Sequence, residues 1–235
     1  MRRLRILLWA LISVLSVGPV DAVSPCDNWS DRFPKRLAQT TLPDTLSRFL
    51  EAHQGHGFEA DFDEEKRIAL LRHPLRTSGH LVFIPPYGLL RQVQKPFAQA
   101  LLLTREALYQ QQMEGETEIL GLDNVPVART FVEAFLAVFS GSLASLRSHF
   151  QVFFAPARQA SKSSDTSPWQ LGLKPSHPAI AKAITCLVLE GQREYIATLW
   201  IQETNGDLTI DHFRDPRLIP QSQWPTYRDR FNKVR

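Results

Sequence analysis

The reading turns on Gly79-His80-Leu81-Val82-Phe83-Ile84-Pro85-Pro86-Tyr87-Gly88-Leu89-Leu90-Arg91-Gln92-Val93-Gln94-Lys95-Pro96. Proline and glycine break it into short extended runs, and Ala98 to Thr104 and Leu108-Tyr109 continue the series. Both parities are apolar. Leu81 and Phe83 point one way and Val82 and Ile84 the other, whereas a strand with one wet face alternates apolar with polar. Such a sheet needs two covers: helices on one side, and further core or an apolar ligand on the other.

Working outward, Phe58 to Leu71 reads as a strand or bent strand pair, with Phe58, Ala60 and Phe62 alternating against Glu59, Asp61 and Asp63. Asp61, Asp63, Glu64 and Glu65 form a charge run that reads as a solvated face. Upstream, Val23 to Gln39 reads as irregular. Thr41, Pro43 and Asp44 then signal a helix whose apolar face carries Leu42, Leu46, Phe49 and Leu50, closed by Gly55 and Gly57. Downstream, Glu114 to Leu120 is one more short strand. Asp123 or Asn124 caps a helix with Pro126 at its start and a stripe of Ala128, Phe131, Val132, Phe135, Leu136 and Phe139. Ser142 caps a shorter helix carrying Leu143, Leu146 and Phe150.

Gln151 to Ala155 and Trp169 to Lys174 read as strands around an exposed loop from Arg158 to Pro168. Pro175 to Lys182 forms a helical turn. A meander follows: Ala183 to Leu189, Tyr195 to Gln202 and Leu208 to Phe213, the last pair joined through Asn205-Gly206-Asp207. The tail after Asp215 contains Pro216, Pro220 and Pro225 and reads as irregular or briefly helical, with Trp224 and Tyr227 as anchors. About ten strands with grouped helices give an α+β protein with an antiparallel sheet, not alternating βαβ units.

The chain has 235 residues, enough for one sizeable core, and its 43% apolar and 22% charged content is ordinary for a globular protein. Formal net charge is +3, but setting aside Arg2, Arg3, Arg5 and Asp21 leaves 24 basic against 23 acidic residues. The balance points away from nucleic acid. Met1 to Arg5 followed by the apolar run Ile6 to Val17, Gly18-Pro19 and Val20-Asp21-Ala22 reads as a signal peptide cleaved after Ala22. The expected location is therefore the periplasm. Two cysteines, Cys26 and Cys186, have one possible pairing in an oxidising compartment. Two buried free thiols, or lipid attachment at Cys26, are the alternatives.

Motifs for chemistry are scarce. The chain has no GxSxG, HExxH, CxxC or glycine-rich phosphate loop. His53 and His56 have a spacing that could touch a metal but lack a carboxylate partner. Asp211 and His212 are neighbours in a strand and point to opposite faces. The residues alone therefore yield an α+β domain whose excess of apolar strand surface is the only functional signal, with no metal expected.

From Phe58 to Asp215 the order of these pieces resembles the LolA-like periplasmic lipoprotein carriers. The first part is Gly79 to Phe83, Gly88-Leu89-Leu90-Arg91, Lys95-Pro96, Leu101 to Leu103 and Leu108-Tyr109. The second is Trp169 to Pro175, Ile184 to Leu189, Leu199 to Glu203, Gly206-Asp207 and Thr209 to Phe213. The chain departs from the family where Pro85 replaces a frequent arginine, where Thr104 to Ala107 lacks Asp-Gly, and where the Leu89 strand lacks a tryptophan.

The resemblance implies an incomplete, half-open antiparallel β-barrel around an apolar cavity, lidded by helices, over residues 41–215, with 216–235 as a tail. Lining candidates are Leu81, Phe83, Leu89, Val93, Leu101, Leu103, Phe131, Phe135, Phe139, Leu171, Leu173, Leu187 and Leu199. It also implies a monomer that is not an enzyme and needs no cofactor, shuttling the acyl chains of lipoproteins or another lipid between an inner-membrane release complex and an outer-membrane acceptor, without nucleic acid. The alternative is a non-catalytic sensor or assembly module that binds a partner protein.

Overall fold

The computed structural model describes residues 24–37, 42–112, 115–156 and 168–235. Residues 1–22, expected to be a signal peptide, Thr41, Glu114 and the loop from Arg158 to Ser167 lie outside the described residues. In chain order come α1 (Trp29–Arg32), α2 (Asp44–His53), β1 (Gly57–Arg67), β2 (Leu75–Ile84), β3 (Gly88–Lys95), β4 (Gln99–Leu103), β5 (Ala107–Gln112) and β6 (Thr117–Gly121). Then follow α3 (Pro126–Phe139), α4 (Leu143–His149), β7 (Phe150–Pro156), β8 (Pro168–Pro175), α5 (Pro178–Ala181), β9 (Ile184–Gln192), β10 (Tyr195–Glu203), β11 (Leu208–Ile219) and α6 (Trp224–Asn232).

The strands form one antiparallel sheet of 11 strands in the order β6-β5-β4-β3-β2-β1-β11-β10-β9-β8-β7. Two meanders thus meet where β1 pairs with β11, Phe62 opposite Phe213 and Glu64 opposite Asp211. The outermost strands β6 and β7 do not pair with each other, so the barrel is half open. Helices α3 and α4 connect these two edges and cross the concave face.

The period-2 pattern explains the layers. On the concave face, Phe58, Ala60, Phe62, Leu81, Phe83, Leu89 and Val93 join Leu171, Leu173, Leu187, Leu189, Leu199 and Phe213 in the main core. The apolar faces of α2, α3 and α4 close it, through Leu46, Phe49, Val132, Phe139 and Leu146. Phe139 is the hinge of this packing, 5.8 Å from the Phe58 ring, 6.2 Å from Phe83 and 6.3 Å from Phe213.

The convex face is covered by the two ends of the chain. Val82, Ile84, Leu90 and Leu102 pack under Phe231 and Val234, with Trp224 and Tyr227 alongside. Trp29 and Phe33 pack over Ala155, Cys186 and Val188. Trp29 and Phe33 sit directly on Gly172, where a Cβ would collide with both rings. A disulfide between Cys26 and Cys186, with Cα atoms 6.1 Å apart, ties this N-terminal segment to β9.

Several expectations are corrected. The second apolar parity of β2 and β3 is covered by α6, not by ligand, and the helices and cavity share the other side. β11 runs on to Ile219, past Pro216 where the tail was expected to begin, while the helical alternative for the tail is the one that forms, with Pro225 in the first turn of α6, where proline is tolerated. Val23 to Gln39 contains α1 and a bridge from Arg36 to Phe153. β1 ends at Arg67 rather than Leu71, and Phe150 opens β7 rather than ending α4. Neither Asp123 nor Asn124 caps α3. The residue before Pro126 is kept out of the helical region, so Val125 takes the cap position and Asp123 pairs with Arg129 at 2.6 Å. Ser142 does cap α4, accepting from the Ser145 amide at 3.2 Å.

Candidate functional site

A cavity of about 210 Å³ lies between α3 and the concave sheet face. Its apolar lining is Leu81, Leu89, Leu101, Leu103, Leu108, Phe131, Val132, Phe135, Phe139, Ala183, Ile184, Leu199 and Ile201. Eight of the thirteen expected residues line it: Leu81, Leu89, Leu101, Leu103, Phe131, Phe135, Phe139 and Leu199. Phe83, Val93, Leu171, Leu173 and Leu187 are buried in the packed core instead.

Helix α3 is two things at once. Ala128, Val132, Ala134, Ala137, Val138 and Phe139 are buried, whereas Phe131 and Phe135 are only partly covered. A helix that buried its whole stripe would hide these two large rings first. Their faces instead look into the cavity.

The rest of the lining is polar, and all of it but Thr209 is ionisable. Glu64, Lys66, Arg91, Glu203, Thr209 and Asp211 form one wall. They occupy the inward parity: Glu64 and Lys66 continue the row of Phe58, Ala60 and Phe62, and Asp211 continues that of Phe213. The Arg91 side chain reaches across β2 to both carboxylates. Its Nη2 donates to Glu64 Oε2 at 2.7 Å and to Asp211 Oδ1 at 3.0 Å. Gly79, opposite Phe62, lies in the register shift between β2 and β3, where the strands approach so closely that a Cβ would collide with the Gln92 carbonyl oxygen. The guanidinium lies over the Phe62 ring, its carbon 3.5 Å from the centroid. Beside it, Lys66 Nζ donates to Glu203 Oε1 at 3.1 Å.

These groups are nearly dry, Glu64 and Lys66 each 4% exposed. Burial pushes the Glu64 pKa up to about 7, with the Asp211 charge adding to it and Arg91 and Lys66 opposing it. Burial also raises the Glu203 carboxyl, with Lys66 opposing. Arg91 is held fully charged by Asp211 and Glu64. Its Nε is buried without a hydrogen-bond partner. The charge run was thus misread for Glu64. A sequence signal existed: an ionisable residue on the apolar parity of a strand.

Other candidates resolve away from the cavity. His53 is buried, its Nε2 2.9 Å from the Glu194 carbonyl oxygen, and burial lowers its pKa to about 4. Asp211 points into the cavity, while His212 lies on the other face beside Thr198. Among the described residues, no group of three or more His, Cys, Asp or Glu side chains is placed to hold a metal ion. No described helix is long and apolar enough to cross a membrane.

Comparison with known proteins follows from this geometry. Residues 48–210 match the sequence model of the family described as outer membrane lipoprotein carrier protein LolA-like. No curated protein matches the chain. Three solved structures are similar at low identity. A LolA superfamily protein from Nitrosomonas europaea is 10% identical with a TM-score of 0.39, covering 77% of this chain and 98% of that one. A putative outer membrane lipoprotein-sorting protein domain from Vibrio parahaemolyticus is 10% identical with a TM-score of 0.39, covering 80% and 95%. A DUF1329 family protein from Desulfovibrio piger is 8% identical with a TM-score of 0.42, covering 82% and 97%.

Proposed function

Because the chain belongs to the outer membrane lipoprotein carrier LolA-like family, whose fold is one of carriers and binding modules, we propose that it is a periplasmic lipid carrier. It takes acyl chains of lipoproteins or of another envelope lipid beneath α3 and moves them between membranes, without catalysing a reaction. The observation that carries this reading is the part-exposed pair Phe131 and Phe135 above an apolar cavity. Each methylene that leaves water gains about 0.8 kcal/mol, so a chain leaves a bilayer only if most of it is buried again. The cavity is smaller than the roughly 300–1,000 Å³ of ordinary ligand pockets, so uptake requires the α3 end bearing Phe131 and Phe135 to lift. Phe139, clamped among Phe58, Phe83 and Phe213, stays as the pivot. The Cys26–Cys186 disulfide suits an oxidising compartment, and export with cleavage after Ala22 is part of the proposal.

The test is mass spectrometry of protein purified from the periplasm without detergent. Co-purified lipid supports the carrier. A protein that is empty and pulls down a stoichiometric partner supports a sensor or assembly module instead. A Phe135→Asp variant sharpens the result. Water entering the cavity reaches the new carboxylate, so the variant folds cooperatively while fluorescent fatty-acid uptake is lost. Unchanged uptake in the folded variant removes α3 from the site.

A further inference from the structure

A hydrocarbon chain makes no use of ionisable side chains, yet five of them form one wall of this cavity. Taking charges out of water costs several kcal/mol each, and buried ion pairs are weak contributors to stability. The wall is also unfinished. Both hydrogen bonds of Arg91 to carboxylates leave from Nη2, and its Nε is buried with no acceptor. Lys66 carries three donors and one carboxylate partner, Glu203. Both cations face the same apolar space, under the rings of Phe131 and Phe135.

We propose that the cavity binds a single-chain amphiphile head-inward, its acidic oxygen-bearing head, a carboxylate or a phosphate, seated between Arg91 and Lys66. The inference rests on the carrier reading and narrows it. It selects a free amphiphile over an acyl chain attached to a polypeptide, whose linkage offers only uncharged carbonyls. The tail runs past Leu89 and Leu101 beneath α3.

Charge accounting adds a second consequence. Glu64, Asp211 and Glu203 already outnumber Arg91 and Lys66 by one. An incoming anion is tolerated when Glu64 holds a proton. It sits beside Lys66 on β1, Thr77 on β2, Arg91 on β3 and Asp211 on β11, while the α3 residues above it are the apolar Phe131 and Phe135. Head binding therefore goes with uptake of a proton, and affinity for an acid strengthens as pH falls from about 8 to about 6.

The experiment is displacement of the uncharged fluorophore N-phenyl-1-naphthylamine from the mature protein by four twelve-carbon probes: dodecanoate, dodecyl phosphate, dodecanol and dodecylammonium. One or both acids are expected to displace it roughly tenfold better than the alcohol, as suits a charge-assisted contact in a dry site. The acid that wins identifies the head. The preference collapses in the double variant Arg91→Met with Glu64→Gln, which removes the donor together with a carboxylate that pairs with it. Because the wild-type series stands alone, a variant that fails to fold does not decide the matter. Equal displacement by acids and alcohol overturns this inference and leaves the carrier standing. Best displacement by dodecylammonium overturns it in favour of an acidic cage. Failure of the fluorophore and of all four probes to bind overturns both readings.

Discussion

Two buried side chains give the protein opposing responses to acid. Burial, with Asp211 adding to it, raises Glu64 from 4.5 to about 7. Its folded pKa exceeds its unfolded value, so its contribution to stability is full below about pH 4.5 and is lost as pH rises through about 7. Burial lowers His53 from 6.5 to about 4, so its contribution is full above about pH 6.5 and is lost as pH falls towards 4. Between these limits the two offset, and wild-type stability is nearly level. Single variants separate them in urea titrations. Glu64→Gln gains on wild type by a few kcal/mol between about pH 5 and about pH 8, since one pKa unit is worth about 1.4 kcal/mol. His53→Gln gains on wild type as pH falls from about 6.5 towards 4. Curves parallel to wild type at all pH values contradict the assignments. The polar wall was the least legible part of the site, and for a local reason. Glu64 is embedded in a run of four acids, and only its parity with Phe62 distinguishes it from its solvated neighbours. Arg91 looks like any strand arginine until the pairing of β1, β2 and β3 brings it within reach of Glu64.

At the scale of elements, the helices divide by what the sequence could say of them. The stripe of α3 was legible because Phe131, Phe135 and Phe139 repeat at helical spacing. That Phe139 is packed while the other two line a space is a tertiary fact, set by the rings of Phe58, Phe83 and Phe213. Helix α6 was obscured by three prolines, although Trp224 and Tyr227 do anchor it, through the Ile219 carbonyl at 3.2 Å and Glu59 Oε1 at 2.9 Å. Its burial carries a prediction. Phe231 is 1% exposed against Tyr87, with ring centroids 5.5 Å apart, and covers the outer parity of β2 to β4. Phe231→Ala should cost about 3–5 kcal/mol by transfer and cavity terms, measured by chemical unfolding. Lipid uptake by the folded fraction should be unchanged, because α6 lies on the face opposite the cavity. A variant that folds normally but loses uptake would couple the two faces.

For the whole molecule, the disulfide spans 160 residues and fastens the N-terminal segment outside β9. A loop of that length removes on the order of 5 kcal/mol of unfolded-state entropy in the chain-entropy model, and measured losses run about 2–5 kcal/mol. Cys26→Ser with Cys186→Ser should therefore lower the unfolding temperature of the protein clearly, while reductant has no further effect on the variant. An unchanged midpoint means that Trp29 and Phe33 hold the segment without help. The sheet order has a different implication, one of timing. Each meander can form from neighbouring strands, but β1 finds β11 only after about 150 intervening residues. Chain entering a compartment N-terminus first exposes the free edge of β1, with its donors and acceptors unmatched, until nearly all of the polypeptide has followed. Long-range closure of this kind is slow and open to intermolecular pairing. The unmatched edge of β1 is thus where the folding chain is most open to pairing with a neighbouring chain.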